Sequence, residues 1–265
     1  MLPESSQTSV LERLVAHAIM PRLITAHAKA RAGSWISTLP DLIASLATAD
    51  PVPPWETIDD VCAHATSLAE FSASFLEPAA RTLGDLWSSD RCSEFELSLG
   101  LSQLQIVLRR ASASIPNVNR PAAPGGHKVL SAPPPEEPHL LGSLVACEVL
   151  RRAGWCVSRA TPGSDGDLRK SLEDEWFDVL DLSSSCVFSR EHRLSAMARS
   201  VRAARSSSQN PDLIVIIDGR LIHDRPGAFR DIGADAGSDS ALSLIQSING
   251  QISQRDIRKG RARAC

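Results

Sequence analysis

Five short apolar segments alternate with helical segments after residue 127, and this alternation limits the folds open to the chain. The segments predicted as strands are 129–132, 156–160, 179–183, 213–218 and 234–236. Between and after them, apolar residues recur at helical spacing over 140–153, 165–175, 191–206, 227–232 and 238–252. Residues 213–217 are all apolar, as in a strand buried on both faces. The second half is therefore predicted as a flavodoxin-like (Rossmann-like) doubly wound parallel sheet of five strands.

The first half reads differently, because its apolar spacing is helical throughout. Helices are predicted over 9–29, 41–49, 57–72, 74–88 and 93–113, which together indicate a helical bundle. A stretch rich in proline and glycine at 115–127 separates the two halves. The predicted organisation is a bundle at 1–114, a linker at 115–127, an α/β domain at 128–254 and a basic tail at 255–265, the tail as a disordered, solubilising end.

Composition narrows the range of functions. The 265 residues include no tyrosine, aromatic residues make up 4%, and the net charge is −3, so weak or no direct DNA binding is expected. The six cysteines form no C-x-x-C pair, which fits a reducing compartment. There is no signal peptide and no apolar run of about 20 residues, so a cytoplasmic protein without membrane contact is expected. Nothing in the sequence fixes the oligomeric state.

One polar motif lies between the first predicted strand and the helix after it. Glu137, His139 and Gly142 form an E-x-H-x-x-G pattern there. A carboxylate two residues before a histidine can accept a hydrogen bond from one ring nitrogen and leave the other free to bind a metal. The glycine leaves room for a bulky group beside the first turn of the helix. A plain helix cap or surface histidine is the alternative interpretation.

The motif resembles the D-x-H-x-x-G signature of cobalamin-binding domains, with Glu137 in the place of the aspartate. In that family the histidine is the lower ligand of cobalt, and a serine after the third strand and two glycines after the fourth complete the site. The matching positions here are Ser183 to Ser185 and Asp218-Gly219. Ser185 stands where the family has an apolar residue and Asp218 replaces the first glycine, which leaves binding of the nucleotide tail open.

The positions of these residues support a ligand site. Glu137, His139, Ser183 and Gly219 all follow predicted strands, and ligands of open parallel sheets bind beyond the carboxyl ends of the strands. A tetrapyrrole-type ligand is therefore favoured over an ordinary polar rim. No G-x-G-x-x-G follows the first strand, so a dinucleotide site has little support. No nucleophile, acid and base occur together in a readable motif, so the protein is not expected to be an enzyme.

The helical half contains a second resemblance. Residues 75–87, which end in Trp87, resemble the helical cap of corrinoid methyltransferase modules and light-sensing cobalamin repressors. There the tryptophan covers the upper face of the cofactor, and a Glu-His pair follows it. Phe95-Glu96 occupies that place here, so Glu96 or Phe95 is a candidate for the upper face. The alternative is that Trp87 is simply part of the bundle core.

Over nearly its full length, the chain resembles the AerR/PpaA family of photosynthesis regulators. That resemblance implies a light-responsive regulator that binds cobalamin, as adenosylcobalamin or hydroxocobalamin, and modulates a DNA-binding repressor of photosynthesis genes. Its mechanism would be the loss of the bulky upper ligand on illumination, followed by a different fit of the helical lid. Two alternatives stay open: a corrinoid methyl-carrier of a methyltransferase system, and a haem-binding sensor with the same fold.

Overall fold

A computed structural model describes residues 55–117, 126–185 and 190–263. The helices predicted over 9–29 and 41–49 lie outside these residues, as does most of the predicted linker. The predicted domain limits at 114, 127 and 254 stay predictions. Among the described helices, none combines the length and the apolar composition needed to cross a bilayer.

The helical part of the described chain consists of several packed segments. They are α1 (Trp55–His64), α2 (Leu68–Phe71), a π-helix (Ser72–Leu76), α3 (Glu77–Ser88) and α4 (Glu94–Ser114). The Ser67 hydroxyl accepts a hydrogen bond from the N–H of Glu70 at 3.1 Å, and the Glu70 carboxylate accepts one from the N–H of Thr66 at 2.7 Å. These contacts start a new helix, so the single helix predicted over 57–72 is divided.

The sheet is parallel throughout and confirms the predicted fold class. Its strands are β1 (Lys128–Ala132), β2 (Cys156–Arg159), β3 (Val179–Ser184), β4 (Ile214–Gly219) and β5 (Ala236–Ser238). Their spatial order is β2-β1-β3-β4-β5. The chain leaves β1 toward β2 and later returns to the other side of β1 at β3. The crevice for a ligand is therefore expected beyond the carboxyl ends of β1 and β3.

Helices cover both faces of the sheet. They are α5 (Leu141–Arg152), α6 (Asp165–Asp174), α7 (Arg190–Ser207), α8 (Arg220–Asp224), α9 (Ala228–Ile232) and α10 (Ala241–Arg263). Alternation along β3 sends Leu180 and Leu182 into one apolar cluster with α6, α7 and α9, and Val179 into another with α5 and α10. The short helix α8, directly after β4, was not predicted.

The C-terminal end corrects one prediction. The predicted helix ended at residue 252, but α10 continues to Arg263, so a disordered basic tail is wrong as far as that residue. Arg255 fixes this extension, because its guanidinium lies 3.0 Å from the carboxylate of Asp178 before β3. Arg255, which the sequence placed in a solvent-exposed basic tail, therefore connects α10 to the sheet.

The helical part packs directly on the α/β part. The buried side chains of α1 to α4 form one apolar cluster with Leu141, Val145 and Val149 of α5 and with Ala241 of α10. At the far end of α4, the Arg152 guanidinium donates to the main-chain carbonyl oxygen of Ile115 at 2.8 Å. The two halves therefore meet along α5 and the start of α10, and this packing places α3 above the carboxyl ends of the strands.

Candidate functional site

A cavity lies where the helical part meets the sheet. Its sheet side is formed by the loop after β1, the ends of β3 and β4, and the first turns of α5 and α10. Its helical side is formed by α3 and by the first half of α4. Apolar wall residues come from both sides: Leu76, Leu97, Leu101, Val145 and Leu244. The position agrees with the crevice expected from the strand order.

The loop between β1 and α5 brings the predicted motif to this cavity. Glu136 has a φ of +66°, a value that residues other than glycine seldom adopt. The sharp turn buries the next residue, Glu137, which is 8% exposed. His139 is half-buried and lines the cavity together with Glu137 and Gly142. The structure thus places the three motif residues on one wall.

The Glu137 carboxylate makes contacts that differ from the one expected. One of its oxygens accepts a hydrogen bond from the main-chain N–H of His139 at 3.2 Å and another from the Ser185 hydroxyl at 2.6 Å. The second oxygen lies 3.7 Å from the guanidinium of Arg193. Within the described part of the chain, no hydrogen bond reaches the ring of His139. Glu137 therefore fixes the loop that carries the imidazole and leaves both ring nitrogens available.

Close packing explains the glycines of the motif. A methyl group at Gly142 would overlap the hydroxyl of Ser183. Gly219 has a φ of +92°, and a Cβ atom there would lie 2.7 Å from the main-chain oxygen of Ser184. The first turn of α5 and the end of β4 thus both press against the end of β3. This packing brings Ser183 and Gly219 to the cavity wall, where Ser185 also lies.

Two buried aspartates lie on the sheet face that leads to the cavity. Asp218 of β4 pairs in register with Ser183 of β3, and Asp181 lies two residues before Ser183 on the same face. Burial raises the pKa of Asp218 to about 7. Burial, and then the charge of Asp218, raise the pKa of Asp181 well above its ordinary value. Asp181 accepts a hydrogen bond from the Ser131 hydroxyl at 2.7 Å, whereas Asp218 lines the cavity itself.

Helix α3 supplies the opposite part of the wall. Glu77, Arg81, Gly84 and Trp87 line the cavity at spacings of three or four residues, which places them on one face of the helix. Glu77 accepts a hydrogen bond from the N–H of Ala241 at 2.7 Å and lies 3.8 Å from Arg81. Burial raises the pKa of Glu77 to about 7, although the N–H of Ala241 and the charge of Arg81 act in the other direction.

Glu96 is not part of this wall. Its carboxylate accepts hydrogen bonds from the main-chain N–H and the hydroxyl of Ser93, at 2.7 and 2.8 Å, and so completes the N-terminal capping box of α4. The neighbouring Phe95 is 71% exposed. The carboxylate that α4 contributes to the cavity is that of Glu94. The structure therefore gives Glu96 a role in the helix cap.

Sequence reasoning missed several polar wall residues. Glu77 and Arg81 would have been found by stepping back from Trp87 in helical turns. Arg220 was not predicted as a wall residue, because α8 was not predicted. Its guanidinium lies 2.6 Å from Asp85 and 2.8 Å from Asp224 and donates to the main-chain oxygen of Arg81 at 3.1 Å. Asp239 also lines the cavity, just before α10, and neither helical spacing nor a motif in the sequence indicates it.

The single histidine of the cavity suits a metal that is already held in a macrocycle. Within the described residues there is no group of three or more His, Cys, Asp or Glu side chains that would hold a free metal ion. A single imidazole suits a metal whose other positions are filled by a ring, as in haem and corrin. The apolar walls suit the body of such a ring, and the buried polar atoms at its edge suit polar substituents.

Comparison with known proteins gives consistent relatives. A profile of the family described as "AppA, sensor containing heme instead of cobalamin" matches residues 119–257, more than half of the chain. The chain is 27% identical over 189 residues to an uncharacterized 20.5 kDa protein in the bchF-crtJ intergenic region of Rhodobacter capsulatus. That alignment covers 71% of this chain and 95% of the relative.

Two solved structures are similar to the chain. The Methanosarcina barkeri monomethylamine corrinoid protein matches with a TM-score of 0.56 at 15% identity, over 78% of this chain and 93% of that one. A novel cobalamin-binding protein from Desulfitobacterium hafniense DCB-2 matches with a TM-score of 0.41 at 17% identity, over 80% and 98% of the two chains. The first of these likenesses shows a common fold.

Proposed function

Because the chain belongs to the AppA/PpaA-type family of sensors, we propose that it binds a tetrapyrrole and acts as a regulator without catalysing a reaction. Cobalamin is the ligand we favour. The observation that carries this proposal is that His139, from the sheet side, and Trp87, from the helical side, line one cavity. Trp87 also packs against the apolar cluster of the helical part, so it links that cluster to the cavity.

The residues have distinct tasks in this proposal. Bound cobalamin would supply a metal that takes a protein ligand and a bond that light breaks. His139 offers its imidazole as that ligand, while Glu137 and Ser185 hold the loop that carries it. Trp87 and α3 would cover the cofactor from the helical side. A change in the bulk beneath α3 would shift the population of lid positions and so alter a surface for a partner.

The partner we propose is a DNA-binding repressor of photosynthesis genes, and the signal is light. The relative from the bchF-crtJ intergenic region lies in a photosynthesis gene cluster, which supports this assignment. The net charge of −3 also favours a protein partner over direct binding to DNA.

Absorption spectra test the proposal. The full chain is incubated with aquacobalamin, adenosylcobalamin or haem, freed of unbound ligand, and measured in the dark and after illumination. We expect a retained cobalamin whose bands are displaced from those of the free cofactor, with a spectral change on illumination. The variant His139→Ala should lose the displacement. His64→Ala, at a half-exposed position on α1 outside the cavity, is the matched control and should keep it.

Haem is the second candidate, because the family's description names haem instead of cobalamin. In that case the same experiment would give a retained haem with a Soret band that depends on His139, and no retained cobalamin. If neither tetrapyrrole stays with the protein, or if His139→Ala binds with an unchanged spectrum, the proposal is wrong.

A further inference from the structure

Four oxygen atoms in the cavity wall could make further hydrogen bonds. They are buried and make no hydrogen bond to the described residues: Glu77 Oε2, Glu137 Oε2, Ser183 Oγ and Asp218 Oδ1. Longer contacts do reach some of them: Arg81 lies 3.8 Å from Glu77 Oε2, Arg193 lies 3.7 Å from Glu137 Oε2, and the Ser183 hydroxyl lies next to Asp218. Three of them are carboxylate oxygens, which only accept hydrogen bonds when the group is ionised. A buried acceptor without a partner costs about 1–3 kcal/mol, so a ligand that brings donors to these atoms would gain affinity.

The cationic side chains of the same wall are already engaged. Arg220 binds Asp85, Asp224 and a main-chain oxygen. Arg81 faces Glu77 at 3.8 Å, and Arg193 faces Glu137 at 3.7 Å. The wall also contains more carboxylates than guanidinium groups, since Glu94 and Asp239 line it in addition to Glu77, Glu137 and Asp218. A ligand with free carboxylates would therefore meet spare acceptors and few spare donors.

On the basis of the proposed function, we propose that Glu77 and Asp218 bind hydrogen-bond donors on the rim of the macrocycle. The cavity then selects a ring with primary amide substituents over one with carboxylates. The two residues belong to different elements, Glu77 to the start of α3 and Asp218 to the end of β4, and they are close enough for their charges to interact. Primary amides supply N–H groups to both, whereas carboxylates would be repelled by both.

The titration of these two groups supports the same conclusion. Burial raises the pKa of each to about 7. Glu77 is faced by Arg81 from its own helix, by Asp218 from β4 and by Asp239 ahead of α10, and Asp218 is faced by Asp181 of β3. Amide donors favour the ionised carboxylates, so an amide ligand should bind more tightly as the pH rises through about 7. A carboxylate ligand should bind less tightly over the same range.

A matched pair of corrinoids tests the proposal on the full chain. Aquacyanocobinamide carries amides around the ring, and aquacyanocobyrinic acid carries carboxylates on the same ring around the same metal. We expect the amide form to bind at least about tenfold more tightly at pH 7, as one charged hydrogen bond would provide, with the ratio growing toward pH 8. Dissociation constants are read from absorption titrations, a measurement that does not depend on any regulatory activity.

Variants assign the preference to the two residues. The double variant Glu77→Gln and Asp218→Asn should reduce the ratio to about threefold or less, because a neutral amide no longer repels a ligand carboxylate. The control Glu173→Gln, on the exposed side of α6, should keep the full ratio. Equal binding of the two corrinoids by the unaltered protein, or an unchanged ratio in the double variant, overturns the inference and leaves tetrapyrrole binding intact. Failure of both corrinoids to bind overturns this inference, and the proposed function falls with it only if aquacobalamin and haem are not retained either.

Discussion

At the scale of single residues, Gly142 and Gly219 of the cavity wall differ in which atoms an added side chain would contact. A methyl group at Gly142 would overlap the tip of a side chain, the hydroxyl of Ser183, which another rotamer can move. At Gly219 it would meet the main-chain oxygen of Ser184, and φ is +92°. Main-chain atoms of a central strand cannot move aside. A side chain at Gly219 is therefore less easily accommodated than one at Gly142.

We expect Gly219→Ala to lower the free energy of unfolding by about 2 kcal/mol, because a side chain is forced into a left-handed backbone conformation against a fixed strand. Denaturant unfolding followed by circular dichroism measures this change. Gly250→Ala, within α10, is the control: a Cβ atom there meets nothing within 4 Å. Alanine should stabilise that helix by up to about 1 kcal/mol. Equal effects of the two substitutions would show that the end of β4 is not strained.

Some contacts of the site were predictable from residue spacing and others were not. The E-x-H-x-x-G pattern after β1 and the serines after β3 were enough to place Glu137, His139 and Ser183 at one edge, because parallel strands end together. The partner of Glu137 was not predictable. It depends on the turn at Glu136, whose φ of +66° directs the carboxylate to the main chain and to Ser185 instead of to the imidazole.

At the scale of elements, the strands were easier to predict than the helices that cover the site. The uniformly apolar run 213–217 predicted β4 to within one residue, because a strand buried on both faces has few polar positions. Residues 179–183 predicted β3 equally closely, although Asp181 lies within them. The break before α2 depends on the side chains of Ser67 and Glu70, and α8 follows directly from the turn at Gly219. Such short-range side-chain contacts override helical periodicity.

The position of Glu96 shows the same limit. Spacing from Trp87 predicted a residue over the cofactor, but α4 begins at Glu94 with Ser93 as its N-cap, so Glu96 stands at the third position of the helix. A glutamate there reaches back to the cap residue. The first turn of α4 thus uses Glu96 for its own stability and presents Glu94 to the cavity.

We expect Ser93→Ala and Glu96→Ala each to destabilise the protein by about 1 kcal/mol, the usual value of an N-terminal cap, measured as a lower melting temperature. Neither substitution should change the absorption spectrum or the affinity of bound aquacobalamin by more than about twofold. Thr82→Ala, which removes a hydroxyl inside α3 that donates to the main-chain oxygen of Pro78, is a control for general loosening of the lid. A spectral change in Glu96→Ala without a loss of stability would return this residue to the site.

At the scale of the whole molecule, polar contacts between the described residues attach the helical part to the α/β part at two places. Beside the cavity, Arg220 of α8 binds Asp85 and the main chain of α3, and Glu77 accepts the N–H of Ala241. At the other end of α4, Ser112 binds Glu148 and Arg152 binds the main chain of Ile115. Among the described residues, the first attachment borders the cavity and the second does not. A bound ligand would therefore act on the first attachment, while the second holds the two parts together.

The two attachments could not be predicted from the sequence. The residues that meet beside the cavity are far apart along the chain, and the charged pair depends on a helix that periodicity did not reveal. What the sequence did predict is that the tryptophan-bearing helix covers the sheet edge, and that prediction came from a family resemblance. The physical cause of the closure is a shared apolar cluster along α5 with polar contacts at its rim.

We therefore expect Arg220→Met to loosen α3 selectively. Loss of the guanidinium removes the contacts with Asp85 and with the main chain of Arg81, while the apolar stem is kept. Hydrogen exchange measured by mass spectrometry should become faster over α3 and stay unchanged over the last turns of α4. The affinity for aquacobalamin should fall by about tenfold, since a charged hydrogen bond contributes about 1.5–3 kcal/mol and Asp85 is largely exposed.

Arg205→Met is the matched control for this prediction. Its guanidinium makes a similar set of contacts, with Asp235 and with the main-chain oxygens of Leu213 and Gly233, but all of them lie within the α/β part. It should lower overall stability without a selective change over α3, because none of these partners belongs to the helical part. Faster exchange over α3 in both variants would mean that the lid follows the stability of the whole molecule. Faster exchange in Arg220→Met alone would identify the contact between α8 and α3 as the clasp that a change beneath the lid must open.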